Sequence, residues 1–424
     1  MIASSKAARG SIRGFRLVAC LLSVTLLLAL TGCTTQDSTS QNSATPAGWR
    51  ILNASDAVLP SNTLFALYVS RPSYMQSMSG YVLLIQRDGT IAAVETSGMN
   101  AGALVWDAQG LFFSDTQRDY LMTSAGTTMW ESPKADLQVA AYVDQDGQHV
   151  GIYNLGWDHD SDLGYVEQVV TTSAAGVSRY DVAGFSYVTA QCESRVFSIA
   201  EAVGPYTSVA QSLGATQRDY APYWPDTLTQ VFPKPETVGD AFVSFMQDGT
   251  GGNPPVDGAT CRNNQILSVT DHQTGTPQPP SITVWPVDGH KPSEHTIVDL
   301  QGESPDVEDQ VATSGTVADW SPSPDQLVWL GGDGIVRSTS INDGTSTQLW
   351  DSGTRIGTSE IGSVTFVGSS LYILDHIGGR VRLRVHDLAT DATKEMYAGN
   401  LGYKDTDTGL VPQGLAIAPD EVSH

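Results

Sequence analysis

The residues best suited to do chemistry sit in two copies of one pentapeptide. Thr116-Gln117-Arg118-Asp119-Tyr120 recurs letter for letter as Thr216-Gln217-Arg218-Asp219-Tyr220, 100 residues further on. Each copy sets a guanidinium, a carboxylate and a phenol side by side. The second copy runs on into Ala221-Pro222-Tyr223-Trp224-Pro225, and Trp157-Asp158-His159-Asp160-Ser161-Asp162 lies between the two. Tyr and Trp give rigid apolar area with a polar tip, and Arg and Asp add directed charge, a mixture suited to holding sugars or peptides. Arg118, Asp119, Tyr120, Trp157, Arg218, Asp219, Tyr220, Tyr223 and Trp224 are therefore the candidate ligand-binding residues. The competing reading is that Arg and Asp pair within each loop while the rings cover the ends of the surrounding elements.

Asp158, Asp160 and Asp162 place alternate carboxylates where one cation can meet all three, which is calcium chemistry. The match to an EF-hand loop stops at its sixth position, where Leu163 replaces the required glycine, and no Glu stands at the twelfth. Asp405-Thr406-Asp407-Thr408-Gly409 is a similar partial match. Solvated acidic turns explain both, so no cofactor is expected, with calcium at Asp158, Asp160 and Asp162 as the alternative. Catalytic patterns are missing: there is no G-x-S-x-G elbow, no H-E-x-x-H pair and no phosphate-cradling glycine loop. Asp115, Asp271-His272 and Asp375-His376 close apolar runs, where carboxylates facing a channel can serve as the pair a glycosidase needs, but no spacing pairs them. No catalytic residue is assigned. Two function classes remain: a binding or scaffold module for a protein, peptide or glycan, and a carbohydrate-active hydrolase or lyase.

The elements that must position these residues begin after a leader. Lys6, Arg9, Arg13 and Arg16 form a basic start, and Leu17 to Leu30 is an apolar run too short for the ~20 residues of a spanning helix. It ends in Leu30-Thr31-Gly32-Cys33, which resembles the lipobox of bacterial lipoproteins. That resemblance implies a signal peptide over 1–32, a diacylglyceryl group on the Cys33 thiol and a palmitate-type acyl anchor on the extracytoplasmic face of the cell membrane. The alternative is an ordinary signal peptide with Cys33 incidental. Thr34 to Ala47 has almost no apolar content and reads as a tether, part of a 33–47 segment, with a mean reach of roughly 20 Å.

Removing the four leader cations leaves 18 basic against 46 acidic residues, a net charge of −28. An excess of that sign excludes nucleic acid and anionic lipid surfaces as partners, since both demand a basic face. The expected partners are the membrane, through the lipid, and an envelope protein, peptide or glycan, with the chain itself monomeric. Of the four cysteines, Cys20 departs with the leader and Cys33 carries lipid, so Cys192 and Cys261 remain. In an oxidising compartment an even pair points to a disulfide, and neither residue has a second ligand at metal spacing.

Residues 48–424 read as strands almost throughout, with 199–214 the one stretch that suits a short helix. Thr313–Gly353 is the clearest unit: apolar runs at Leu327–Leu330, Ile335–Ile341 and Thr347–Trp350 are separated by Gly-Gly-Asp-Gly and Asp343-Gly344. Asp-Gly supplies the positive φ of a tight hairpin, and it occurs at 88, 146, 248, 257, 288, 333 and 343. Leu104–Trp130 and 361–400 repeat the same order, and the 100-residue offset of the pentapeptide is two units of about 50 residues, the size of a propeller blade. Blades are expected near 103–133, 138–183, 185–233, 240–301, 314–353 and 361–400. Runs at 63–69, 80–87 and 90–96, joined by Gly414–Ala418, would complete a seventh. The expectation is an all-β, seven-bladed β-propeller of four-stranded antiparallel blades, closed by strands from both termini, with six or eight blades as alternatives. Trp320-Ser321-Pro322-Ser323-Pro324-Asp325 resembles the W-S-P-D-G turn of TolB-like and WD40-like propellers, with the glycine missing. That resemblance covers one blade and implies a binding fold more than an enzyme. The disulfide and the blades support each other, since Cys192 and Cys261 fall in first-to-second-strand connections of neighbouring blades.

Overall fold

A computed structural model describes residues 48–71, 79–158, 164–201, 226–240, 259–270, 279–305, 316–353, 361–377, 380–402 and 409–422. The leader, Cys33 and the tether lie outside the described residues.

Asp-Gly turns punctuate the chain as their chemistry requires. Gly89, Gly147, Gly289, Gly334 and Gly344 all have φ between 76 and 85°. In four of these turns the aspartate accepts the amide two residues on: Thr90 to Asp88 (2.9 Å), His290 to Asp288 (3.2 Å), Ile335 to Asp333 (3.1 Å) and Thr345 to Asp343 (2.9 Å). The connections are longer than two-residue hairpins, because the Asx turn occupies part of a wider loop.

Between these turns run the strands. Blade one contains β1 (Trp49–Leu52), β2 (Thr63–Ser70), β3 (Gly80–Gln86) and β4 (Ile91–Thr96). Blade two contains β5 (Leu104–Trp106), β6 (Leu111–Ser114), β7 (Arg118–Thr123) and β8 (Gly126–Glu131). Blade three contains β9 (Gln138–Val143), β10 (His149–Asp158), β11 (Gly164–Ser173) and β12 (Gly176–Ala183). Blade four contains β13 (Phe185–Cys192), β14 (Arg195–Glu201), β15 (Asp226–Phe232) and β16 (Glu236–Asp240). Blade five contains β17 (Ala259–Arg262), β18 (Gln265–Thr270), β19 (Ser281–Pro286) and β20 (Ser293–Thr296). Blade six contains β21 (Thr316–Val317), β22 (Gln326–Leu330), β23 (Ile335–Ser340) and β24 (Ser346–Asp351). Blade seven contains β25 (Ile361–Val367), β26 (Ser370–Ile377), β27 (Arg380–Asp387) and β28 (Ala392–Asn400). β29 (Val411–Ile417) follows, then one turn of helix, α1 (Pro419–Val422).

Six of the seven sheets keep chain order and are antiparallel throughout, while blade one reads β1-β4-β3-β2-β29. β29 supplies the innermost strand of blade one, pairing from Phe65↔Ile417 to Ser70↔Val411 with a register shift between Tyr68 and Val69. β1 adds a parallel fifth strand on the outer edge of β4. First strands touch in a closed circuit, β29 to β5, β9, β13, β17, β21, β25 and back to β29. The structure is therefore a seven-bladed β-propeller, closed by strands from both ends of the propeller.

Its core lies in the seams between blades. Residues alternate across each strand, so Phe65, Leu67, Leu83 and Ile85 pack against Tyr372, Leu374 and Leu383 of blade seven, while Ala66, Tyr68, Val82 and Leu84 pack against Leu111 and Phe113 of blade two. Middle strands with two buried faces are apolar runs, as in TLFALYVS of β2, whereas the outer strand β8 is mostly exposed or half-buried. Gly344 marks a tight approach between blades: a side-chain carbon there would lie 2.1 Å from the Thr296 carbonyl.

Two boundaries differ from expectation. Pro233 looks like the end of blade four because proline cannot donate to a ladder. Here it sits in a turn, and β16 pairs back from Thr227↔Asp240 to Gln230↔Glu236. Blade five accordingly starts at Ala259, not 240. Of the stretch read as a possible helix, Ile199–Glu201 belongs to β14, and 202–214 lies outside the described residues.

Cys192 ends β13 and Cys261 lies in β17, adjacent innermost strands, and they form the expected disulfide with Cα atoms 5.2 Å apart. The bridge closes a loop over a separation of 69 residues. Replacing both by alanine should cost about 4 kcal/mol on the chain-entropy account, read as a lower denaturant midpoint with the circular dichroism spectrum of the native protein unchanged. An unchanged midpoint would show that the bridge is not a stabilising cross-link.

Candidate functional site

Second-to-third-strand loops and the connections between blades share one face of the ring, and the candidate residues of blade two start there. Asp115 follows β6 and its carboxylate is fully used. It accepts the amides of Ser97 (2.9 Å), Gln117 (2.8 Å) and Arg118 (2.7 Å) and the Tyr120 hydroxyl (2.9 Å). Tyr120 is buried, stacks on Phe113 with centroids 4.7 Å apart, and burial raises its pKa. Asp119 is buried as well. It accepts hydrogen bonds from Ser114 (2.6 Å) and Thr172 of blade three (2.8 Å), and pairs with Lys134 at 3.0 Å. The Lys134 side chain is fully buried, and its ammonium also donates to the carbonyls of Asp115 (3.2 Å) and Arg118 (3.1 Å). Burial lowers its pKa, with Asp119 opposing. Arg118 is exposed and pairs with Glu131 at 2.7 Å, a surface pair of small energetic weight.

Of the three expected to meet a ligand, Asp119 and Tyr120 are buried on opposite faces of β7, because it is a third strand whose two faces are covered, and Arg118 reaches solvent. Trp157 and Asp158 end β10, where Trp157 pairs with Tyr165. Arg218, Asp219, Tyr220, Tyr223 and Trp224 lie outside the described residues, as do Asp160, Asp162 and Asp271-His272. Among the described residues no three His, Cys, Asp or Glu side chains form a metal-binding group.

Glu167 on β11 was not singled out by sequence. It crosses the seam to blade four, accepting the Ser186 amide (2.9 Å) and the Ser186 hydroxyl, which also contacts Ser198. Burial, with no cation beside it among the described residues, pushes its pKa up to about 7.

The arrangement with most capacity for recognition lies in blade seven. Arg380, Arg382, Arg384 and His386 alternate along β27 and share the face toward blade six, while Val381 and Leu383 on the other face pack against blade one. His386 stacks on Trp350 of blade six with centroids 4.0 Å apart. Arg384 donates to the Ser352 carbonyl at 3.2 Å. Above that point the seam is charged. Asp375, directly opposite Arg382 in the ladder, is 4% exposed. It receives Arg384 in a two-point fork (2.9 and 2.9 Å) and Arg382 at 2.7 Å. The Arg380 side chain is exposed and makes no hydrogen bond or ion pair with another described residue. Asp375, Arg380, Val381, Arg382, Ala398, Gly399 and Asn400 line a groove of about 700 Å³. Among the described residues two guanidinium groups, of Arg380 and Arg382, and one carboxylate, of Asp375, line the groove, in a chain of net charge −24. The trace of this in sequence is the alternation in RVRLR, which also reads as an ordinary solvated strand.

Comparison with known proteins concerns the fold. Residues 60–212 match a family model described as YycP, beta-propeller domain. No curated protein matches the chain. Among solved structures, the chain is similar to one in a nidogen/laminin complex at 12% identity, over 84% of this chain and 98% of that one, with a TM-score of 0.39. It is similar to BamB from Moraxella catarrhalis at 11% identity, over 83% and 87%, with a TM-score of 0.41. A chain of a mitotic checkpoint complex is similar at 12% identity, over 76% and 81%, with a TM-score of 0.42. At these identities the likeness does not extend to what those proteins bind.

Two outcomes follow from the seam chemistry. Lys134→Met leaves a buried Asp119 carboxylate without its cation and should destabilise the fold by about 3–5 kcal/mol, whereas Lys134→Met combined with Asp119→Asn should recover part of that loss. Equal unfolding midpoints for wild type and Lys134→Met would contradict the assignment. For Glu167 the native protein holds a proton that the unfolded chain releases near pH 4.5, so stability is full below that pH and declines as pH rises to about 7. The decline should approach 3 kcal/mol, roughly the energy of that pKa shift, and Glu167→Gln should flatten it in thermal melts across pH 5–8.

Proposed function

We propose that this protein is a membrane-anchored, extracytoplasmic lipoprotein whose propeller is a binding or scaffold module for an envelope protein or peptide. The observation that carries the binding reading is the arginine-lined groove of blade seven, where among the described lining residues guanidinium charge exceeds carboxylate charge on an otherwise acidic protein. Asp115 and Asp375, the strand-end carboxylates that a hydrolase would need as acid and base, are each engaged by several donors, which favours binding over glycoside cleavage. Support for anchoring comes from the sequence: a basic start, a short apolar run and Leu30-Thr31-Gly32-Cys33. Lipid on Cys33 would hold a monomeric propeller on the outer side of the membrane at the end of the 33–47 tether, and two or more acyl chains make such anchoring stable.

Cys33→Ala in the full chain tests the anchor. The wild type should incorporate labelled palmitate and sediment with membranes, and the variant should do neither. Membrane association that survives the substitution would refute lipidation at Cys33. The binding reading is tested separately by in-cell cross-linking of the wild-type protein, which should yield a discrete adduct lost when Arg380 and Arg382 are both changed to Gln.

A further inference from the structure

We propose that blade seven binds an extended acidic peptide along the outer edge of β28, with the peptide's carboxylates reaching Arg380 and Arg382. The inference rests on the reading of the propeller as a binding module and adds the chemistry of the partner and its mode of docking.

Three observations combine. First, an outer blade edge in this protein already accepts an additional strand: β1 pairs with β4 from Trp49↔Ile91 to Leu52↔Val94. β28 is the outermost strand of its sheet and, at nine residues, offers a longer edge than β4 has. A strand edge presents free amides and carbonyls, and main-chain pairing there gives affinity without regard to sequence.

Second, the surface beside that edge is open on the arginine side. Ala398 stands opposite Arg382 and Asn400 opposite Arg380. The short Ala398 side chain leaves a corridor from the edge to the guanidinium of Arg382, and Asn400 turns its amide oxygen to the Gly402 amide at 2.7 Å. A side-chain carbon at Gly399 would meet the Tyr397 ring and displace it. Strands lie about 4.8 Å apart, so a peptide residue paired with β28 projects every second side chain over Ala398 into the groove.

Third, the arginines are pre-positioned and, among the described residues, outnumber the carboxylates that face them. Asp375 fixes Arg382 through its Nε and one terminal nitrogen, which leaves the remaining donors to the groove, where its side chain is 49% exposed. Arg380 adds a fork that no described side chain occupies. A planar carboxylate matches that geometry, and a guanidinium held by a buried partner loses little entropy on binding it.

Fluorescence anisotropy on the full chain in detergent tests this with a short labelled peptide alternating Glu and Thr, its Gln–Thr counterpart, and a uronic-acid oligosaccharide of similar charge. The Glu peptide should bind at least about tenfold more tightly than the Gln peptide, and Arg380→Glu should lose about the same factor. Arg380 is exposed and unpaired among the described residues, so that variant keeps the wild-type melting temperature. Ala398→Trp should close the corridor and weaken the Glu peptide alone. Equal binding of the Glu and Gln peptides, or Arg380→Glu binding like wild type, overturns the proposal. Preference for the oligosaccharide overturns the peptide assignment. If the Glu peptide does not bind while the wild-type adduct still forms and is lost in Arg380→Gln/Arg382→Gln, the acidic-peptide inference falls and the binding-module reading stands.

Discussion

Strand β29 hydrogen-bonds to β2, and the ring exists because of that pairing. It puts residues from the two ends of the propeller into one sheet, with Phe65 opposite Ile417 and Ser70 opposite Val411. Every other blade is a local meander whose strands pair in chain order. Only this sheet requires the whole intervening chain to be in place, so its closure entropy is met by the burial gained in the seams on either side of blade one. The circuit of first strands places the Cys192–Cys261 bridge between blades four and five, across the ring from that seam. A covalent staple thus sits farthest from the non-covalent one.

Seams rather than a central core hold the blades, which makes the polar groups buried in them consequential. Asp115 and Asp375 occupy comparable places at the ends of second strands, and the chain satisfies them differently. In blade two the third strand turns tightly enough to offer Asp115 the amides of Gln117 and Arg118 and the Tyr120 hydroxyl. In blade seven the third strand offers Asp375 the side chains of Arg382 and Arg384. Amides and a hydroxyl satisfy a carboxylate without changing its charge, but two guanidinium groups overshoot it. The first solution closes a seam; the second leaves positive charge facing solvent, and Arg380 adds to it.

Much of the architecture was legible because it rests on local rules. Asp-Gly turns, the 100-residue spacing of the repeated pentapeptide and the strand-like runs at 63–69 and 414–418 were enough to place seven blades and their closure. The Cys192–Cys261 pairing followed from the count of cysteines left after the leader, and the blades agreed with it. The boundary at Pro233 misled because proline in a turn and proline at the end of a blade look alike in sequence. Site residues were harder to read, since burial is a property of the neighbour across the seam. Arg118, Asp119 and Tyr120 are adjacent in sequence, yet alternation sends Asp119 against Thr172 of blade three and Tyr120 against Phe113, leaving only Arg118 in water. Nothing near Lys134 in sequence reveals that its ammonium is enclosed, and nothing near Glu167 reveals Ser186.

The charge of the whole protein and the charge of the blade-seven groove oppose each other, and their ranges decide which one a partner meets. A net charge of −24 repels an acidic ligand at a distance, but at physiological ionic strength the screening length is about 8 Å. Beyond that range the acidic surface matters little, and within it the guanidinium groups of Arg380 and Arg382 are the nearest charges. Such a surface does not gather acidic ligands by long-range steering. It selects among those that arrive, by whether a carboxylate can reach past Ala398 while the ligand's backbone pairs with β28. Selection of that kind depends on shape and hydrogen-bond direction more than on net charge, so the excess of carboxylates elsewhere on the surface need not compete with a single well-placed one in the groove.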